Sequence, residues 1–175
     1  MTRVDIKKAG AGFALLLSLL LGFEGVRQVA YRDVAGVPTI CVGHTEGVRM
    51  GMTATEQMCR DLLSDDAYTF WEAVDGAVKS DMSPWQWAAW TSFAFNMGVG
   101  AFNGSTLLRL ANEGKIEAAC RELPKWNKAK RGPGGPKVPL RGLTKRRSVE
   151  MFTCLGYIFD EEFSPNHRTH KPILR

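Results

Sequence analysis

An uncharged run near the N-terminus, from Ala9 to Phe23 (AGAGFALLLSLLLGF), constrains the fold more than any other feature of the chain. Glu24 ends the run. As a helix it would be about 22 Å long, which is short of the ~30 Å hydrocarbon core of a bilayer. Its leucines would occupy the whole circumference of that helix, whereas a helix on the surface of a small domain normally has a polar stripe.

Three interpretations of this run remain open. The first is a buried core helix. The second is a cleavable signal peptide, although the residues before Glu24 lack a convincing A-x-A cleavage site. The third is a weak, uncleaved membrane anchor, whose basic flank at Lys7 and Lys8 would hold the N-terminus in the cytoplasm while the rest is exported. We favour the anchor.

The rest of the composition is that of one globular domain. A chain of 175 residues that is 45% hydrophobic and 23% charged excludes disordered, collagen-like and multi-span membrane proteins. The net charge of +5 indicates a polyanionic partner. Between Lys125 and Arg147 there are nine basic residues and no acidic one, which indicates either a solvated face or a surface attracted to an anionic envelope. No base-reading motif accompanies them, so nucleic acid is not expected as a partner.

Turn and capping signals predict a mainly helical α+β fold with one small β element. Residues 31–45 (YRDVAGVPTICVGHT) predict a hairpin, because β-branched residues stand there between Gly and Pro. Residues 131–139 (RGPGGPKVP) predict a loop. Helices are predicted from an N-cap at Thr53 to about Val78, from Ser83 to about Gly98, from Ser105 or Thr106 to Gly114, over 115–123 and over 143–158.

The four cysteines, Cys41, Cys59, Cys120 and Cys154, are widely spaced and lack the paired spacing of a metal site. Zinc is therefore not expected. Four cysteines allow three disulfide connectivities, and oxidising surroundings would favour bridges. We prefer Cys41–Cys59 with Cys120–Cys154 because these pairs join near neighbours in the sequence.

Glu24, Asp33 and Thr39 are residue types that suit the hydrolysis of a glycosidic bond. A carboxylic acid in an apolar setting keeps its proton and can protonate the leaving oxygen. A second, ionised carboxylate can activate water, and a hydroxyl can hold that water. Glu24 adjoins Phe23 and the apolar run, while Asp33 lies in a polar turn beside Arg32. The spacing alone carries little weight, because most such acid pairs are solvated surface charges.

Three segments resemble the phage-type lysozymes, or muramidases. Residues 23–45 (FEGVRQVAYRDVAGVPTICVGHT) carry Glu24, Asp33 and Thr39 at the spacing of that family. Residues 93–102 (FAFNMGVGAF) and 142–150 (GLTKRRSVE) resemble its central helix and its C-terminal segment. The resemblance implies the phage-lysozyme-like fold, in which a small β element lies beside a helical lobe.

The same resemblance implies cleavage of the β-1,4 bond between N-acetylmuramic acid and N-acetylglucosamine in peptidoglycan. Glu24 would be the general acid, Asp33 would activate water from the opposite face, and Thr39 would help to hold it. The family is generally inverting, which implies carboxyl groups about 6.5–9.5 Å apart. No metal or organic cofactor is implied.

Several other polar and aromatic residues are candidates for the cleft or for its support. His44 would line the cleft, and Phe102 and Asn103 would contact sugar at its lower edge. Asn96 is either a cleft residue or a buried amide that ties a helix end to the β element, and we favour the second. Arg146 or Arg147 is a candidate to pair with acids of the helix that begins near residue 53.

The apolar run also resembles that of signal-anchor-release endolysins, phage lysozymes whose first segment leaves the bilayer before the enzyme becomes active. On this hypothesis, residues 1–23 are an anchor continuous with the catalytic domain at 24–158, and a tail follows at 159–175. The enzyme would be a monomer, exported to the host periplasm and tethered to the inner membrane through residues 9–23 until release. Its other partner would be bacterial peptidoglycan.

Two alternatives to this hydrolase remain open. One is a non-catalytic protein that binds peptidoglycan or disrupts membranes, using the basic stretch and the apolar run alone. The other is an enzyme that cleaves the same bond without water and forms an anhydro product.

Overall fold

A computed structural model describes residues 6–33, 35–130 and 134–157, so the proposed tail at 159–175 lies outside the described residues. These residues confirm the mainly helical α+β fold. The helices are α1 (Ile6–Glu24), α2 (Glu56–Ala77), α3 (Pro84–Met97), α4 (Val99–Asn103), α5 (Thr106–Asn112), α6 (Ile116–Cys120), a 3₁₀ segment (Leu123–Trp126) and α7 (Arg141–Cys154). The strands are β1 (Arg27–Arg32), β2 (Pro38–Cys41), β3 (Lys128–Lys130) and β4 (Lys137–Pro139).

The strands form two separate antiparallel hairpins. In the first, Tyr31 lies opposite Thr39, and the register shifts between Arg27 and Tyr31. The second hairpin, β3–β4, was not predicted, and its strand β4 forms the last three residues of the loop predicted over 131–139. Lys130 lies opposite Lys137 there, and both side chains are exposed, so this part of the basic stretch lies on the surface.

Helix α1 packs against α3 and α2 and shares an apolar cluster with them. Leu16 and Leu20 are fully buried in this cluster. The side of α1 that faces solvent carries small residues instead of leucines, and this exposed stripe is Gly10, Ala14, Ser18 and Gly22. The polar stripe expected on a surface helix is thus replaced by side chains that expose little apolar area.

A close approach between α1 and α3 occurs at Gly12. A Cβ atom there would lie 3.0 Å from the Pro84 carbonyl oxygen and 3.0 Å from Cη2 of Trp71. The absence of a side chain therefore allows α1 to contact the first turn of α3. None of the helices in the described ranges is long and apolar enough to span a bilayer.

The largest apolar cluster belongs to the helical lobe and is built around Trp90, Phe93 and Phe102. A much smaller cluster, which includes Ala30 and Ile40, lies between the first hairpin and α2. The lobe that carries the candidate residues Asp33 and Thr39 therefore has only a small hydrophobic core of its own.

Local signals placed most helix ends correctly. A capping box between Ser83 and Gln86 begins α3, and Gly98, with φ of +86°, ends it. The prediction for α2 was wrong by two residues, because Thr55 and not Thr53 is the N-cap.

Both preferred disulfides are confirmed. Cys41–Cys59 joins β2 to α2, with the Cα atoms 5.0 Å apart. Cys120–Cys154 joins α6 to the last residue of α7, with the Cα atoms 5.6 Å apart. Each bridge thus ties an element to a neighbouring helix, one in each lobe.

Candidate active site

Glu24 is the last residue of α1, and Gly25, with φ of +68°, turns the chain away from the helix axis. Its side chain is 33% exposed. It faces an open pocket of about 330 Å³. The pocket is lined by Phe23, Glu24, Asn96, Leu140, Gly142, Leu143 and Arg146. The helix end therefore presents a carboxyl group at the mouth of a partly apolar pocket.

Arg146 of α7 holds this carboxyl group. Its Nη1 donates a hydrogen bond to Oε1 of Glu24, and its guanidinium carbon lies 4.7 Å from the centre of the Phe23 ring. Arg146 is almost completely buried. The prediction that it pairs with an acid of α2 was wrong, since its acidic partners are Glu24 and Glu150. Glu24 thus has apolar neighbours, as expected, but also a cation.

A second carboxyl group lies behind Arg146, at the fully buried Glu150. Its Oε1 accepts hydrogen bonds from Nε of Arg146 at 3.0 Å and from the Ser92 hydroxyl at 2.8 Å. Its Oε2 accepts a hydrogen bond from Nη1 of Arg147. Arg147 in turn donates through Nη2 to Oδ1 of Asn96, at the end of α3. We call these four residues, Ser92, Arg146, Arg147 and Glu150, the α3–α7 network.

The network places charge in the protein interior. Burial raises the pKa of Glu150, against which Arg147, Arg146 and the Ser92 hydroxyl act by favouring the ionised form. Burial likewise lowers the pKa of Arg147, against the favourable charge of Glu150. The partners of the Glu150 carboxyl group are all donors, which is the arrangement that an ionised carboxylate requires.

Asp33 and Thr39 lie on the first hairpin. Oδ1 of Asp33 accepts hydrogen bonds from the backbone N–H of Ala35 at 2.9 Å and of Val37 at 2.8 Å. The buried Thr39 donates its hydroxyl proton to the Val37 carbonyl at 2.9 Å. Arg32, which precedes Asp33 in the sequence, donates to the Gly36 carbonyl oxygen at 2.7 Å. The turn thus fixes the orientation of both side chains.

The predicted residues do not line one common pocket. Neither Asp33 nor Thr39 lines the pocket of Glu24. His44 lines a separate pocket of about 270 Å³ beside the first hairpin. Its Nδ1 lies 2.8 Å from Oδ2 of Asp66, and its Nε2 lies 3.1 Å from the Glu46 carbonyl oxygen. His44 therefore ties the hairpin to α2, whatever contact it makes with a ligand.

The two remaining candidates differ in exposure. Asn103 is exposed and lines a third pocket with Gly104 and Ser105. Phe102 is fully buried in the core of the helical lobe, so its side chain cannot contact sugar, contrary to the prediction. In the part of the chain that the structure describes, no group of three or more His, Cys, Asp or Glu side chains is placed to hold a metal ion.

Sequence reasoning missed Ser92 and Glu150 as parts of the site. Ser92 lies in an apolar helix and gives no signal of its own. Glu150 belongs to the segment GLTKRRSVE, in which its spacing from Arg146 and Arg147 puts all three on adjacent turns of one helix. That spacing was visible, but it did not tell which face of α7 would be buried.

Comparisons with known proteins find similar chains over most of the length. Residues 21–150 match the family described as phage lysozyme. A SAR-endolysin of Bacteriophage PS119 is 42% identical over 77% of this chain and 77% of its own. A SAR-endolysin of Pseudomonas phage phiKMV is 38% identical over 83% of this chain and 89% of its own. The solved endolysin of Escherichia coli O157:H7 phage FAHEc1 superposes with a TM-score of 0.74 at 32% identity, covering 81% of this chain and 90% of that one.

Proposed function

The chain belongs to the phage lysozyme family, and we propose that Glu24 is the general acid of its reaction, with Asp33 and Thr39 handling the attacking water. The protein is a lysozyme, a glycoside hydrolase of the phage endolysin type whose substrate is peptidoglycan. The bond that we assign to it is the β-1,4 bond between N-acetylmuramic acid and N-acetylglucosamine.

One observation carries the assignment of the acid. Glu24 is oriented by Arg146 but remains 33% exposed at the mouth of an open pocket, so a glycosidic oxygen can approach its carboxyl group. The neighbouring Phe23 and Leu143 exclude part of the water from the same space. An acid that must give its proton to a bound sugar needs both features.

In the proposed reaction, Glu24 donates its proton to the glycosidic oxygen as the bond to the anomeric carbon breaks. Asp33 accepts a proton from a water molecule, whose oxygen attacks the anomeric carbon from the opposite face. One oxygen of Asp33 is already engaged by the hairpin backbone, which leaves the other for this water. The Thr39 hydroxyl gives its proton to Val37, so it can only accept from the water.

The test compares how fast the Glu24→Gln variant and the unmodified enzyme clear a suspension of purified peptidoglycan. We expect clearing to fall by at least about 100-fold, the lower range for loss of general-acid catalysis. Sedimentation with peptidoglycan should be unchanged, because the amide keeps the shape of the side chain. Clearing at the rate of the unmodified enzyme would exclude Glu24 as the general acid.

Mass spectrometry of the released fragments tests the role of water. Hydrolysis adds the mass of one water molecule to each cleaved bond, whereas an anhydro product lacks it. Hydrated products support the proposed role of Asp33 in activating water. Anhydro products would leave Asp33 without the function proposed here.

We further propose that α1 acts first as a releasable membrane anchor, in a protein exported to the host periplasm. Relatives at 42% and 38% identity are SAR-endolysins, which supports this route. The apolar face of α1 also has a place in the folded domain, where Leu16 and Leu20 are buried. Export would thus precede activity, because the helix that ends in Glu24 can pack against α3 only after release.

The anchor is tested by the double substitution Gly10→Leu and Gly22→Leu. A Cβ atom at either position meets no heavy atom within 4 Å, so the folded domain should tolerate both leucines. Each leucine makes the run more apolar and should keep the protein in the membrane fraction and delay lysis. The purified variant should clear peptidoglycan normally, which separates retention from misfolding. Unchanged release and lysis would overturn the anchor.

A further inference from the structure

The contact between Arg146 and Glu24 raises a difficulty for the proposed reaction. A general acid must hold a proton when the substrate binds. A guanidinium group in direct contact favours the ionised form of a carboxyl group. Arg146 donates to Oε1 of Glu24, and it is almost completely buried, so little water screens its charge.

The α3–α7 network contains other hydrogen-bond partners of the same guanidinium group. Nε of Arg146 donates to Glu150 at 3.0 Å, and Nη2 donates to the Ser92 carbonyl at 3.2 Å, while only Nη1 reaches Glu24. Glu150 is fully buried, whereas the Glu24 side chain is 33% exposed. Charges attract each other more strongly in the interior than near water, so Glu150 is the stronger partner of Arg146.

We propose that Glu150 is a positioning residue for Glu24. The Glu150 carboxylate shares the Arg146 guanidinium group with Glu24. Arg146 can therefore orient the Glu24 carboxyl group while Glu24 keeps its proton. The inference rests on the proposed role of Glu24 as general acid. It also assigns a function to the one acidic residue of the segment GLTKRRSVE.

The charged groups around Glu24 limit the possible explanations. In its pocket the only charged partner among the described lining residues is Arg146. Arg147 and Glu150 lie behind it on α7, and Arg147 also interacts electrostatically with Glu24. Helix α3 contributes the uncharged Ser92 and Asn96. In β1, the guanidinium group of Arg27 lies over the ring of Tyr31.

The test is the substitution Glu150→Gln, followed by the pH dependence of kcat/KM. The amide oxygen can still accept from Arg146, but the negative charge is gone. Arg146 then acts on Glu24 alone, so Glu24 loses its proton at a lower pH. We expect the alkaline limb of the profile to move to lower pH by about one unit, the lower range for a neighbouring opposite charge.

A second variant guards against a failure to fold. Glu150→Gln alone leaves Arg146 and Arg147 with too little negative charge around them. The double variant Arg147→Met with Glu150→Gln removes one charge of each sign and places an apolar chain near the Phe93 ring, where the Arg147 guanidinium lies. It should fold, and its alkaline limb should move in the same direction but by less, because the loss of Arg147 also removes a cation that favours ionised Glu24. The matched control is Glu117→Gln, which removes an exposed charge on α6 and should leave the profile in place.

A readout apart from activity is the ¹³C resonance of the Glu24 carboxyl group, which should titrate at lower pH in both variants. If neither the pH profile nor the resonance shifts, Glu150 has only a structural role. A shift of the alkaline limb to higher pH would mean that Arg146 no longer contacts Glu24. Either result overturns the inference. The proposed function fails separately, if Glu24→Gln clears peptidoglycan normally.

Discussion

Helices α1 and α7 meet at Glu24, and the composition of each suggests the opposite of what part of it does: α1 exposes part of an uncharged run, and α7 buries charges. Helix α1 has no charge from Ala9 to Phe23, yet a stripe along it faces solvent. Helix α7 is rich in charge, yet Arg146, Arg147 and Glu150 are among its buried residues. Hydropathy averaged along either helix therefore gives the wrong expectation of its surroundings.

The comparison teaches that size and pairing decide burial here. In α1 the exposed positions carry Gly, Ala and Ser, so a helix without charges presents little apolar area to water. In α7 the buried charges are matched by opposite charges and hydrogen bonds, which offset the loss of hydration. The first arrangement suits a segment that changes environment, and the second suits one that must hold a side chain still.

The pairing of buried charges in α7 predicts the largest loss of stability, for the substitution Glu150→Leu. Leucine fills a similar volume but leaves the two buried arginines without their shared carboxylate. We expect the free energy of unfolding to fall by about 3–5 kcal/mol, the usual loss when one partner of a buried ion pair is removed. Urea unfolding at neutral pH measures this loss.

The control is Glu117→Leu on α6, where the side chain is 72% exposed and pairs with Arg121. The free energy of unfolding should change by no more than about 0.5 kcal/mol, as is usual for surface positions. Equal losses at the two positions would mean that pairing in the interior does not distinguish α7 from an ordinary surface helix.

The α1 half predicts an intermediate effect at Gly12→Leu. Its Cβ atom would lie 3.0 Å from the Pro84 carbonyl oxygen, which is backbone and cannot move freely. Overpacking of this kind lowers the free energy of unfolding by about 1–3 kcal/mol. The same substitution at Gly10 meets no neighbour and should be neutral or slightly stabilising, because leucine favours helix. Thermal unfolding of both soluble variants compares them, and equal melting temperatures would contradict the close approach.

Local structure was largely predictable from the sequence. Ser83 and Gly98 marked the two ends of α3 because capping and positive φ depend on a few adjacent residues. The first hairpin was evident from its turn residues. The second was not predicted, because its strands are short and flank a segment rich in Gly and Pro. Thr55 displaced Thr53 as the N-cap of α2, since Thr53 pairs instead with Val29 of the hairpin.

The site itself was predictable only in part. Glu24 could be placed at the end of a helix, but its partner Arg146 lies 122 residues away in sequence. Which face of α7 is buried depends on how that helix packs against α3, and α7 has no apolar stripe to indicate it. Phe102 was misjudged for the same reason, since its burial is decided by the core of the helical lobe.

Substitutions at Ala14 should have the smallest effect on the stability of the folded enzyme. They should also distinguish most clearly between the two proposed environments of α1, the bilayer and the folded domain. This residue belongs to the exposed stripe of α1, so Ala14→Glu should change the free energy of unfolding by no more than about 0.5 kcal/mol and leave peptidoglycan clearing intact. In a bilayer the same charge would be unfavourable by about 2.5–3.5 kcal/mol near the centre of a helix. The membrane-bound fraction of newly made protein should therefore fall, whereas the matched Ala14→Leu should raise it with equally little effect on unfolding. If both variants partition between membrane and soluble fractions as the unmodified chain does, α1 has only one environment, and its small exposed residues serve the folded domain alone.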